Sequence, residues 1–212
     1  MDKSQILVAL KKARESKKRN FAQGFDLAVS LKDFDVNKEK VEDFVKLPKG
    51  RGKTLKICAL VGPEMRNAVE KYCDLTITTD SFNEYENSRK VRKLARDYDH
   101  FIAQANLMAQ IAKTFGKYLG SIGKMPNPKG GQIIPPKANI EHLVKNLKDT
   151  IRITAKKSPA INCPVGNENM SDEDVAENIL SIIDKLNTTL PRGASNISKV
   201  YIKTTMGGPI KI

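Results

Sequence analysis

The chain has 212 residues, a hydrophobic share of 40%, no Trp and a formal net charge of +13. That much apolar side chain can fill a core, which excludes a disordered chain, and the length admits one large domain or two small ones. The excess of Lys and Arg points to a polyanionic partner, nucleic acid first, against the plainer reading that lysines only keep the protein in solution.

The first apolar run, Ile6 to Leu10, is too short for a signal peptide and is followed at once by Lys11, Lys12 and Arg14. No apolar stretch approaches the roughly 20 residues that span a bilayer, so an intracellular chain away from membranes is expected. Ser4 to Lys18 has helical spacing, with Ile6, Leu7, Leu10 and Ala13 on one side and Lys11, Arg14, Lys17 and Lys18 on a usable basic side. Phe25, Leu27, Val29 and Leu31 then alternate with polar or small residues, the period of a strand buried on one face.

After the basic loop Pro48-Lys49-Gly50-Arg51-Gly52-Lys53 the pattern changes to short apolar strands between helices, which marks a domain boundary. Strands are expected over Leu55–Val61, Leu75–Thr78 and His100–Ala103, and helices over Glu64–Tyr72, Ser88–Asp97, Asn106–Phe115 and Asn139–Leu147. Such alternation makes a parallel sheet covered on both faces. From Thr150 the pattern reverts: strands at Ile151–Thr154 and Ala160–Val165, a helix capped by Ser171 with the stripe Val175, Ile179, Ile182, Ile183 and Leu186, and a strand at Lys199–Thr205. Head and tail can therefore pair into one α+β domain interrupted by an α/β domain.

Catalytic apparatus is not visible. Gly52-Lys53-Thr54 resembles the end of a phosphate loop, but Leu47 stands where the motif needs its first Gly, and a strand rather than a helix follows. Gly120-Ser121-Ile122-Gly123-Lys124 has the wrong spacing, and Met125 replaces the magnesium-binding hydroxyl. The turn Gly62-Pro63-Glu64-Met65 lacks the three-glycine dinucleotide fingerprint, so an empty switch point and no cofactor are expected. Cys58, Cys73 and Cys163 read as buried thiols; with His100 and His142 standing alone, no metal is expected.

Two segments ask for more than ordinary structure. Gly120 to Gly131 reads as a Gly- and Pro-fixed loop carrying Lys124 and Lys129, either a phosphate or protein contact or a rigid connection. The C-terminal Lys199 to Pro209 puts Val200 and Ile202 on the core side and Lys199, Tyr201 and Lys203 outward, and Gly207-Gly208 lets a sugar–phosphate backbone approach closely. A strand that merely ends in a Gly-Pro turn is the competing reading.

At Met125-Pro126-Asn127-Pro128-Lys129 and Thr204-Thr205-Met206-Gly207, with Leu47-Pro48-Lys49-Gly50 and Pro164-Val165-Gly166, the chain resembles the universal large-subunit ribosomal protein one family in its archaeal form, over essentially its whole length. The resemblance implies a discontinuous α+β domain, 1–53 with 154–212, that binds RNA, and an inserted Rossmann-like three-layer α/β domain, 54–153. It implies a hinge at the crossings near Gly50-Arg51-Gly52 and Ile153-Thr154-Ala155. The implied partners are large-subunit ribosomal RNA of the mobile stalk, deacylated tRNA leaving the exit site, and a mimic site in the chain's own mRNA leader. The implied protein is a cytoplasmic, ribosome-associated non-enzyme, monomeric when free. Its RNA surface maps here to Asn20, Phe21, Lys157, Lys199, Thr205, Met206 and Gly207, with Arg51, Lys53, Lys124, Lys129 and Gly208 as secondary RNA or hinge candidates. Gly208 departs from the family pattern, in which Pro directly follows Gly207.

Overall fold

The computed structural model describes every residue except 1, 18, 37, 40, 87, 136–138 and 157, and the side chains of Glu86 and Ser88. In chain order the elements are α1 (Lys3–Arg14), β1 (Gly24–Leu31), β2 (Val41–Lys46), β3 (Ile57–Val61), α2 (Arg66–Val69), β4 (Leu75–Thr78), α3 (Ser88–Asp97), β5 (His100–Gln104), α4 (Met108–Ile122), β6 (Ile133–Ile134), α5 (Ile140–Asp149), β7 (Thr150–Ala155), β8 (Ala160–Asn167), α6 (Asp172–Thr189), β9 (Ile197–Thr204) and β10 (Ile210–Lys211). They form two compact units, Met1–Lys53 with Asp149–Ile212, and Thr54–Lys148.

The first unit is α+β. Its antiparallel sheet has the order β10-β9-β1-β8, so the N-terminal strand β1 lies between two strands from the end of the chain. Phe25, Leu27, Val29 and Leu31 are buried, as their alternation predicted, and pack in one core with Ile6, Leu10 and Ala13 of α1 and Val175, Ile179 and Ile182 of α6. The Ser171 hydroxyl caps α6, accepting from the Asp174 amide at 3.1 Å, and three acidic residues occupy the first turn beside the positive end of the helix dipole.

Beside this sheet β2 pairs antiparallel with β7 along its whole length, Val41 opposite Ala155 and Lys46 opposite Thr150. The Leu47 amide carries the ladder one step further, to the Asp149 carbonyl at 2.9 Å. That pairing moves the return crossing to 148/149, earlier than the expected 153/154, and puts Ile153, Thr154 and Ala155 inside a strand of the first unit. The basic loop at the outgoing crossing is anchored too. Asn178, fully buried on α6, donates to the Gly50 and Val165 carbonyls at 2.9 Å each and accepts from the Lys49 amide at 3.1 Å. Gly50 and Gly52 sit in the left-handed region, φ +67° and +66°, where a Cβ is strained.

The second unit is three-layered α/β, with a parallel sheet of order β4-β3-β5-β6. All five residues of β3 are buried. Cys58 and Leu60 face a core with Val91, Leu94, Ile111 and Phe115, while Ile57, Ala59 and Val61 face another with Val69, Ile140, Val144 and Leu147. The expected helix over Glu64–Tyr72 shrinks to a 3-10 turn, Pro63–Met65, and the four-residue α2. The helix expected to stop at Phe115 instead runs through Gly116 and Gly120 to Ile122, because it buries Phe115 and Leu119, and it ends at Gly123 in a left-handed cap, φ +77°. Gly120, Ser121 and Ile122 are therefore helical rather than loop. In this sheet order the switch point lies between β3 and β5. There Gln104, 5% exposed, accepts from the Gly62 amide at 2.8 Å and donates to the exposed Glu64 carboxylate at 2.9 Å.

Candidate nucleic-acid interface

The edge of the first unit where β1 begins and β9 ends is built from three chain segments. The Thr205 amide donates to the Gly24 carbonyl at 3.0 Å, and the Thr205 hydroxyl accepts from the Gly24 amide at 3.1 Å. The Met206 amide donates to the Gln23 side-chain oxygen at 3.1 Å, and the Gly207 amide closes a turn onto the Thr204 carbonyl at 3.1 Å. A Cβ on Gly207 would stand 2.2 Å from Thr204 Oγ1 and 3.3 Å from Ser16 Oγ, so only glycine fits.

Gln23, 1% exposed, joins this turn to the third segment. Its backbone amide and side-chain Nε2 donate to the two Glu168 carboxylate oxygens at 2.9 and 3.1 Å. Behind it the Arg14 guanidinium bonds the Glu168 and Met170 carbonyls at 2.7 and 2.6 Å and Asp172 at 2.6 Å, and lies 5.2 Å from the centre of the Phe25 ring. Arg14 is thereby withdrawn from the basic side of α1, and the helix stops there, short of the expected Lys18, which lies outside the described residues. The roles of Gln23, Glu168 and Arg14, the last of which was expected on the basic side of the helix, escaped the sequence reading because their partners are 145 or more residues away along the chain.

On this fixed frame two large apolar side chains are left in solvent, Phe21 at 52% and Met206 at 59% exposure. Asn20 and Thr205 are exposed beside them in sequence. Lys199 is not at the turn. It pairs with Ser30, whereas Thr204 pairs with Phe25, so it stands about 17 Å along the strand. It shares the outer sheet face with Tyr201 and Lys203, opposite the short side chains of Ser30, Ala28 and Asp26. A cavity of about 350 Å³ on this face is lined by Asp26, Ala28, Asn162, Cys163, Pro164 and Lys203. Burial pushes the Asp26 carboxyl above its usual range, against the opposing charges of Lys203 and Arg51. Lys157 lies outside the described residues.

The secondary candidates separate. Arg51 acts electrostatically on Asp26 and so belongs with the outer sheet face, and Lys53 is exposed in the crossing loop. Gly208 is exposed, with open space where a Cβ would be, so the added glycine is not demanded by the turn. Lys129 is exposed on the 3-10 turn Pro128–Gly130, which the Asn127 side chain caps. Lys124 has a structural position instead: its ammonium donates to the Ala95 and Tyr98 carbonyls at 2.8 and 2.7 Å, closing the C-terminal end of α3.

Cys58 and Cys163 are buried as expected, but Cys73 is only partly so. Burial pushes the Cys73 thiol up to about 11 and Cys163 to about 12, and raises Cys58 as well, so none is a thiolate nucleophile at neutral pH. Among the described residues no three His, Cys, Asp or Glu side chains converge as a metal site, and no helix is long and apolar enough to cross a membrane.

Comparison with known proteins agrees with this architecture. Residues 10–208 match the ribosomal protein L1p/L10e family. The chain is 42% identical to the large ribosomal subunit protein uL1 of Nanoarchaeum equitans, covering 96% of this chain and 97% of that one. It is 42% identical to the uL1 of Pyrococcus abyssi over 100% of this chain and 96% of that one, and 37% identical to that of Methanothermobacter thermautotrophicus over 98% of each. With a family match over nearly all its length and archaeal relatives aligned end to end, the chain belongs to the ribosomal protein L1p/L10e family, a family of ribosomal proteins and not of enzymes.

Proposed function

We propose that the chain is a component of the large ribosomal subunit that binds folded ribosomal RNA of the mobile stalk through its discontinuous α+β unit. The observation that carries this reading is the turn Thr204–Gly207, bonded to Gln23 and Gly24 at 3.0–3.1 Å, with Phe21 and Met206 exposed beside it. Ordered before any ligand arrives, such a turn loses little conformational entropy on binding. Phe21 and Met206 pack on ribose or base, Thr205 and Gly207 meet the sugar–phosphate backbone, and Asn20, Lys157 and Lys199 add polar and phosphate contacts. The family implies two further roles: helping deacylated tRNA leave the exit site, with the inserted unit moving about the crossings, and repressing the chain's own operon at a mimic site in its mRNA. That the relatives are large ribosomal subunit proteins supports the ribosomal part of this reading.

The test is binding of a minimal stalk ribosomal RNA fragment against a scrambled hairpin across a salt series. Wild type is expected to discriminate strongly at moderate salt, and Thr205→Ala/Met206→Ala to lose that discrimination. Equal affinity for both RNAs, weakened alike by salt in both proteins, would leave only a basic surface and refute the assignment.

A further inference from the structure

Helix α3 of the second unit takes no part in the interface described above, yet it carries a dense run of cations. Its sequence is Ser88-Arg89-Lys90-Val91-Arg92-Lys93-Leu94-Ala95-Arg96-Asp97. Val91, Leu94 and Ala95 are buried in the core shared with α4, and Arg89, Arg92, Lys93 and Arg96 are exposed. Arg89, Lys93 and Arg96 fall on the side of the helix opposite the buried stripe, neighbours about 5–6 Å apart. Arg92 lies 5.4 Å from the centre of the Tyr118 ring of α4, and exposed Lys113 and Lys117 continue the positive surface along one row of that helix. Lys90 is paired with Glu84 at 3.9 Å; Lys93, Arg96, Lys113 and Lys117 make no ion pair among the described residues. Between the 3-10 segment Thr79–Glu86 and α4, a cleft of about 530 Å³ is lined by Thr79, Asn83, Gln110, Lys113 and Thr114 around Phe82, with no carboxylate among the described lining residues.

We infer that α3 and the adjoining row of α4 form a second RNA-binding surface, which grips the sugar–phosphate backbone of an RNA helix without reading its sequence. Four observations favour this occupant. The cations are spaced to meet successive phosphates, and the cleft offers hydroxyl and amide donors next to Lys113. Among the described residues of this face, the Tyr118 ring is covered by Arg92 and the Phe82 ring in the cleft is only 5% exposed, which leaves little platform for stacking unpaired bases. The apolar side of α3 is spent in the core, so it cannot insert into a lipid surface as an interfacial helix does. Among its described residues the face also lacks the exposed aromatic or apolar anchor on which protein partners centre their contact.

The full chain is titrated with a labelled RNA duplex of unrelated sequence, as wild type, as Lys93→Glu/Arg96→Glu and as Thr205→Ala/Met206→Ala, each first shown to melt like wild type. The α3 variant is expected to bind about tenfold or more weakly at low salt and to lose about 1–2 from the slope of log affinity on log salt. The turn variant is expected to match wild type on this duplex. Lys93, Lys113 and Lys117 are expected to be protected from acetylation when duplex is present. Unchanged affinity, slope and lysine reactivity in the α3 variant would overturn the inference, as would tighter binding of polyglutamate or of anionic phospholipid vesicles than of duplex through the same residues. Because the stalk-fragment discrimination is read on the turn variant and the duplex affinity on the α3 variant, each reading can fail while the other stands.

Discussion

At the scale of single residues, adjacent glycines have opposite roles. Gly207 has no room for a Cβ, while Gly208 faces open space. Gly207→Ala is therefore expected to push against the buried Thr204 hydroxyl, cost about 1–3 kcal/mol by overpacking, and weaken stalk-RNA binding by displacing Met206. Gly208→Ala is expected to leave melting temperature and affinity within error. Calorimetry with binding isotherms on both variants checks the pair, and equal effects would mean that the turn does not depend on the close approach at Gly207. The resemblance singled out Thr205, Met206 and Gly207 as expected RNA contacts, but what holds them in place was not legible. Neither Gln23 nor Glu168 carries a motif, and both acquire meaning only when folding brings three distant segments to one sheet edge.

At the scale of elements, legibility followed burial periodicity. β1 and α6 declared themselves because each buries a regular stripe, and β4 and α3 match their expected spans. β2 was missed because Glu42 and Asp43 interrupt any alternation, and β6 and β10 because two residues carry no period. The end of α4 was misplaced because glycines signal breaks locally, whereas core burial of Phe115 and Leu119 outweighs their intrinsic helix penalty of about 1 kcal/mol each. Lys124 belongs to this scale, since it joins the end of one helix to the segment after another. Lys124→Met is expected to destabilise the second unit by about 2 kcal/mol, through loss of charge-assisted bonds to two carbonyls, without changing affinity for the stalk fragment. Urea unfolding followed by a probe in that unit, beside the binding assay, tests this; a loss of affinity at unchanged stability would return Lys124 to the RNA surface.

At the scale of the whole molecule, acid acts through the β2–β7 ribbon. The hydrogen bond from Lys156, with Arg152 beside it, holds the Glu42 carboxyl below the usual range. Burial pushes Asp43 up, but Lys185, the Phe44 amide and Thr189 together outweigh it and bring the group down. Carboxyls depressed on folding contribute stability that is present above their ordinary range and is lost as pH falls through the folded values. Asp26, raised by burial, acts in the opposite sense, because its protonation favours the folded form. With Glu64 also lowered, by the hydrogen bond from Gln104, three depressed groups stand against one, and with a net charge of +13 rising further in acid, melting temperature is expected to fall on acidification below the usual carboxylate range, less steeply in Glu42→Gln. Superimposable pH profiles for the two proteins would remove Glu42 from the account. The placement of β1 between β8 and β9 also orders events during synthesis. The inserted unit has all its strands between Ile57 and Ile134 and can fold while the ribosome is still adding residues. The N-terminal strand must wait, because its partners on both sides belong to the last part of the chain, and the earlier folding of the insert shortens the loop that β1 must close. A polypeptide whose synthesis has not yet passed β9 therefore has no assembled Thr204–Gly207 turn, and the RNA binding proposed there must wait for those residues.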